Sequence, residues 1–229
     1  MPKNGAASPV STRTKLLIYL SALNAGILLI SNLSAAKIWS LFGIPVDGGV
    51  IIFPLSYILG DVIVEFYGRK TSKHVIWASF ILSALATVTF WIVGALPALD
   101  EGTNNAAFNT ILGSVPRIVA GSLIAYVAAQ LLNNYVFEKI KQKTGSKWLV
   151  VRSLGSSFAA HVVDTLLFDT IAFAGTMPFG DFVNLTVFAF VLAVSFEAIL
   201  QPLTYVAVAA VRKFLHMPTL KEAIQSEQK

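Results

Sequence analysis

The chain of 229 residues has no cysteine. That excludes disulfides, thiolate metal sites and a cysteine nucleophile. Charge is scarce as well. Only 13% of residues are Asp, Glu, Lys or Arg, against about 25% in soluble domains. No Gly-x-x-x-x-Gly-Lys-Ser/Thr segment occurs, so the chain does not itself hydrolyse ATP through a phosphate-binding loop. The polar stretches are too few for a separate soluble domain. What is abundant is apolar sequence: 55% of residues are hydrophobic and the mean hydropathy is +0.71. This is the composition of an integral membrane protein. The formal net charge of +5 does not point to nucleic acid, because the basic residues occupy short loops between apolar runs, where topology puts them.

Six runs are long enough for membrane helices of about 20 residues. They lie near 15–38, 48–67, 74–96, 115–138, 148–174 and 183–211. Residues 1–13 are small and polar and read as a disordered cytoplasmic segment, with no evident cleavable signal. Residues 14–213 then form one transmembrane domain and 214–229 a cytoplasmic tail. The last two runs exceed the spanning minimum, so breaks are expected at Gly155 and Pro202. With the N-terminus inside, all but two of the 17 Lys and Arg fall on the cytoplasmic side. The exceptions, Lys37 and Arg117, sit at helix ends, where they can snorkel to headgroups. The loops at 97–114 and 175–182 carry Asp100, Glu101 and Asp181 but no Lys or Arg. Both termini are therefore expected in the cytoplasm. Three spans followed by three also permit an inverted repeat. The second and fifth spans each carry two acids, Asp61/Glu65 and Asp164/Asp169.

The pair Asp61 and Glu65 carries the most information. The two are four apart and share one helix face. A carboxylate near the bilayer centre costs about 2.5–3.5 kcal/mol on insertion scales, so something inside the protein uses or neutralises it. Asp61 is expected to face a cavity. Glu65, nearer the cytoplasmic edge, is expected to gate or anchor that end against Arg69 or Arg152. Other polar residues fall within the spans: Asn24, Asn32, Gln130, Asn133, Asn134, Ser157, His161, Glu197 and Gln201. Hydrocarbon cannot satisfy them, so they should point into the bundle. Together with Phe53, Tyr57, Phe158, Phe168 and Phe196 they outline a polar cavity ringed by aromatics. Asn133 and Asn134 read as interhelical hydrogen-bond formers, and Asp169 as a solvated residue near the outer end. Trp39, Trp77, Trp91 and Trp148 fall near span ends, as an interfacial belt would. Ser157, His161 and Asp164 share a helical face, but no strained turn or oxyanion hole accompanies them. A hydrogen-bonded cluster that reads a ligand or a proton fits them better than a hydrolase. One His also leaves no basis for a zinc site, and no cofactor is expected.

The run Phe53-Pro54-Leu55-Ser56-Tyr57-Ile58-Leu59-Gly60-Asp61, continuing to Glu65-Phe66-Tyr67-Gly68, resembles the signature of the VUT/YhhQ family of vitamin-uptake and queuosine-precursor transporters. Further matching segments are Arg152-Ser153-Leu154-Gly155-Ser156, Asp164-Thr165 with Phe168, and Pro202-Leu203-Thr204-Tyr205. The resemblance implies an all-α bacterial inner-membrane protein with six helices, distantly like the substrate-binding subunits of energy-coupling-factor importers. The implied cargo is 7-cyano- or 7-aminomethyl-7-deazaguanine, or queuine, salvaged for tRNA modification. The chain departs from the pattern at His161, where a Gln or other polar residue is common, and at Ala193, where a Lys is common.

A guanine-like edge offers two N–H donors beside a carbonyl. Glu197, Asp164 or Asp61 can accept from the donors; Asn32, Lys37, Gln201 or His161 can donate to the carbonyl; Phe53, Tyr57 and Phe168 can stack on the ring. Glu65 and Arg152 complete the candidate set. Binding is expected between the second, fifth and sixth helices, with the first contributing. Asp61 or Glu65 is expected to take up a coupling proton. The partners expected are a small heteroaromatic and the bilayer, with a homodimer admitted and nucleic acid not. Three alternatives remain at this point. One is a binding subunit docking an ATP-driven partner through Ala22-x-x-x-Gly26. The others are an intramembrane enzyme using Ser157, His161 and Asp164, and a channel.

Overall fold

The computed structural model describes residues 10–35, 37–41, 44–99, 104–112, 116–175 and 178–226. These form seven helices and one short hairpin. In chain order they are α1 (Thr12–Ser34), β1 (Ile38–Leu41), β2 (Ile44–Asp47), a single 3-10 turn (Gly48–Ile51), α2 (Pro54–Gly94), α3 (Asn105–Leu112), α4 (Pro116–Thr144), α5 (Leu149–Phe173), α6 (Phe179–Phe214) and α7 (Leu220–Ser226). The protein is helical, as its composition requires, but the boundaries differ instructively from the sequence reading.

The first expected span stops at Ser34. The apolar residues after it turn into the antiparallel pair β1–β2, in register Ile38↔Asp47 to Leu41↔Ile44. Trp39 is therefore on a strand, not at a helix end. The second expected span starts at Pro54, whose missing N–H suits a first helical position. The expected loop at 68–73 is absent. Its whole reversal is made by Gly68, at φ 77° and ψ 166°, a region open essentially to glycine alone. Phe53 and Ile76 belong to one cluster with Leu28 and Tyr126, whereas a straight helix would hold them about 34 Å apart. The two halves of α2 thus run back along each other. Neither expected break occurs: α5 runs through Gly155 and α6 through Pro202.

Among the described residues, three helices are long and apolar enough to cross a membrane: α1, α2 and α6. α4 and α5 have spanning length, with 29 and 25 residues, but their buried amides, hydroxyls and charges lower their hydropathy. They form the most extensive helix–helix contact. The largest apolar cluster lies around the Gly68 reversal. There Val62, Ile63, Val64 and Phe66 meet Val75, Phe137, Leu149, Val208 and Val211. Leu215 and Leu220 pack against the same cluster, so the chain beyond α6 folds back onto it. α7 is started by a capping box, in which the Thr219 N–H donates to Glu222 Oε2 at 2.7 Å and the Glu222 N–H to Thr219 Oγ1 at 3.3 Å. Those bonds hold the Glu222 carboxyl below its ordinary pKa.

Candidate functional site

Two adjoining buried clusters are built on the first half of α2, one helical turn apart. The first surrounds Asp61, which is 1% exposed. Its Oδ1 accepts from Asn133 Nδ2 at 2.9 Å, and its Oδ2 from the Ser153 hydroxyl. One turn along α2, the Tyr57 ring lies 4.6 Å from the His161 ring at 47°, and Phe53 meets Tyr57 edge-on at 5.7 Å. His161 Nε2 is 2.8 Å from Glu197 Oε2. Both partners are buried. One further turn along α6, Gln201 is buried with neither amide atom hydrogen-bonded within the protein. The Tyr57 hydroxyl is likewise buried without a protein partner. Asp164, half-buried, and Glu197 both act electrostatically on Tyr57.

Gly60 is what lets α4 approach. A Cβ there would stand 3.0 Å from Gln130 Oε1 and 4.0 Å from Asn134 Oδ1. The Gln130 amide, also buried, has no protein partner. The cluster therefore joins α2, α4, α5 and α6. The expected contribution of α1 goes elsewhere: Asn24 donates to Ser79 and Tyr126, and Asn32 accepts from Ser122 at 3.0 Å. Lys37 is exposed beside the hairpin, where its carbonyl accepts from Gly48. Phe168 pairs with Phe173 toward the far end of α5. Phe158 faces outward against Phe190, so it is no part of an aromatic ring around the site. Asp169, expected in solvent, is 2% exposed and lies beside Thr186 of α6. The hydroxyl of Ser157 is directed at Asn133 Oδ1, 3.5 Å away, while His161 is committed to Glu197. The Ser–His pairing of a hydrolase is not assembled.

The second cluster surrounds Glu65. Three cations converge on its carboxylate: Lys141 at 2.9 Å, Arg152 at 3.0 Å and Arg212 at 3.6 Å. Arg152 is fully buried. It lies over the Phe137 ring and donates to the carbonyls of Gly145 and Lys147. Arg212 lies near the Phe66 ring and donates to Pro218. Lys141 also donates to the Glu65 carbonyl at 2.7 Å. Four helices are tied at one carboxylate. Arg69, the other expected partner, instead meets Glu138 at 3.3 Å near the surface. A cleft of about 320 Å³ bounded by Lys143, Thr144, Gly145, Lys147 and Trp148 lies on the α4–α5 turn, outside both clusters.

Sequence reasoning passed over Ser153, Lys141 and Arg212 as site residues. Ser153 lies within the matching segment after Arg152. In the sequence Lys141 and Arg212 carry only a topology signal, yet both stand within reach of the same acid once α4 and α6 are packed.

The family profile described as "Putative vitamin uptake transporter" matches residues 47–207, which hold the first cluster and all of the second but Arg212. The chain belongs to this vitamin uptake transporter family. Among its relatives is the "Probable queuosine precursor transporter" of Bacillus subtilis, 30% identical over 77% of this chain and 78% of that protein. The "Queuosine precursor transporter" of Escherichia coli is 28% identical over 70% of each chain. No solved structure matches. As a vitamin uptake transporter, the protein is a membrane protein that moves a solute.

Proposed function

We propose that this transporter imports a queuosine precursor of the 7-deazaguanine class across a bacterial inner membrane. The reading has six spans, with α2 counted as two, and both termini in the cytoplasm. The distribution of Lys and Arg supports that orientation, and the names of the relatives support the cargo.

The observation that carries the cargo assignment is the face of α6 that presents Glu197 and Gln201. Asp61 has both oxygens engaged by protein donors. Glu197 has one oxygen on His161, and Gln201 has an unengaged amide one turn away. A carboxylate and an amide four residues apart match an edge that offers two N–H groups beside a carbonyl. Tyr57, held by Phe53 and His161, supplies an aromatic wall and a hydroxyl. An analogue without the N–H groups leaves the second Glu197 oxygen without a donor in a buried site, which is how such a site discriminates.

Binding to the purified protein tests this. Deazaguanines should bind and unrelated vitamins should not. Glu197→Gln should weaken deazaguanine binding about ten- to a hundredfold, the scale of one buried contact to a charged group. Failure of every deazaguanine to bind overturns the cargo and leaves the transporter. Ser157→Ala should leave transport intact, whereas an enzyme using Ser157 as nucleophile would lose turnover.

A further inference from the structure

The two α2 carboxylates differ in what surrounds them. Glu65 is met by three cations. Asp61 is as deeply buried, yet its contacts are an amide and a hydroxyl, both neutral. Among the described residues no cation lies within ion-pair distance of it. A buried carboxylate without a cation is stable only with strong donors or with a proton of its own. Four side chains act on it: Asn133 of α4, Ser153 and Arg152 of α5, and Glu197 of α6. The other titratable groups of the two clusters are Tyr57 and Glu65 on α2, Lys141 on α4, His161 and Asp164 on α5, and Arg212 on α6. Glu197 acts on Asp61 as a like charge. Arg152 is shared electrostatically between Asp61 and Glu65.

We infer that Asp61 is the proton-carrying group of this transporter and couples import to the proton gradient, whereas Glu65, met by three cations, fastens the cytoplasmic end. The inference rests on the cargo reading only for its transport probe. The proton enters from the outer side, binds Asp61 and leaves to the cytoplasm. No other bond is made or broken. The link between the two is Arg152. When Asp61 is protonated, Glu65 is the one charged carboxylate left acting on Arg152, beside the Gly145 and Lys147 carbonyls it already donates to. When Asp61 gives up its proton to the cytoplasm, it draws on Arg152 again, so the protonation of Asp61 and the tie at the cytoplasmic end are linked.

The test uses the full chain in proteoliposomes with labelled 7-cyano-7-deazaguanine. With one proton per neutral cargo, a gradient of one pH unit, acid outside, sustains at most about tenfold accumulation, since one unit is about 1.36 kcal/mol. The wild type should approach that value. Asp61→Asn should exchange labelled for unlabelled cargo but accumulate none above equilibrium, and Asp61→Glu should restore the gradient response. A cargo-independent arm is infrared difference spectroscopy on acidification: one carboxylic C=O component of the wild-type spectrum, that of a buried carboxyl, should be missing from Asp61→Asn. Accumulation by Asp61→Asn equal to the wild type, a wild type indifferent to the gradient, or a buried-carboxyl component that persists in Asp61→Asn overturns the inference. If no deazaguanine binds, the cargo reading falls by itself and the infrared arm still decides for or against Asp61.

Discussion

At the scale of single residues, the environments of Asp61 and Glu65 separate two roles that their spacing in the sequence leaves joined. Removing the Glu65 charge strands Arg152, which has no exposure to water. Glu65→Gln should therefore destabilise the protein by about 3–5 kcal/mol, as breaking a buried ion pair does, read as a large drop in melting temperature in detergent. Arg69→Ala removes a partly exposed pair with Glu138 and should cost less than about 1 kcal/mol. Sequence spacing put Arg69 and Arg152 on equal terms as partners of Glu65. The four-residue rule that favoured Arg69 holds only along a continuous helix, and Gly68 interrupts α2 between the two. Arg152 was legible from its place in the matching segment. Lys141 and Arg212 were not, because only the packing of α4 and α6 brings residues so far apart in the chain to one oxygen pair.

At the scale of elements, α2 is the unusual one. Its two halves meet at a backbone conformation that costs a residue with a Cβ about 1–3 kcal/mol. Nothing lies within 4 Å of a Cβ at Gly68, so Gly68→Ala should lose stability through backbone strain alone. Gly26, also with nothing within 4 Å, is in the interior of α1. Gly26→Ala should be neutral or gain up to about 1 kcal/mol. Paired melting curves in detergent check both, and equal losses would mean that crowding, not conformation, governs Gly68. The helices were legible from apolar run length. The β1–β2 hairpin was not, since Lys37 marks the end of the expected first span and the few apolar residues after it, Ile38, Trp39 and Leu41, are too short a stretch to announce strands. The short helix α3 lay hidden in a loop that carries acids but no Lys or Arg and has too few apolar residues for a span.

At the scale of the whole molecule, the strongest sequence signal was charge asymmetry, and the absence of cysteine makes it testable without background. Asn104→Cys in the loop before α3 should react with a membrane-impermeant maleimide on intact cells, and Ser226→Cys at the end of α7 should react only after lysis. The reverse pattern would invert the topology. The site was legible in its acids, His161 and Gln201, but its placement on α4 rather than α1 depended on which helix Gly60 lets approach. The tie at Glu65 also fixes an order of events during synthesis. Glu65 leaves the ribosome long before Lys141, Arg152 and Arg212, and the first half of α2 is short and carries both acids. That half enters the bilayer as a hairpin with the second half and keeps an unmatched charge until α4 and α5 bring Lys141 and Arg152. A chain cut short of Lys141 thus displays an open acid at the membrane edge, which a finished transporter does not.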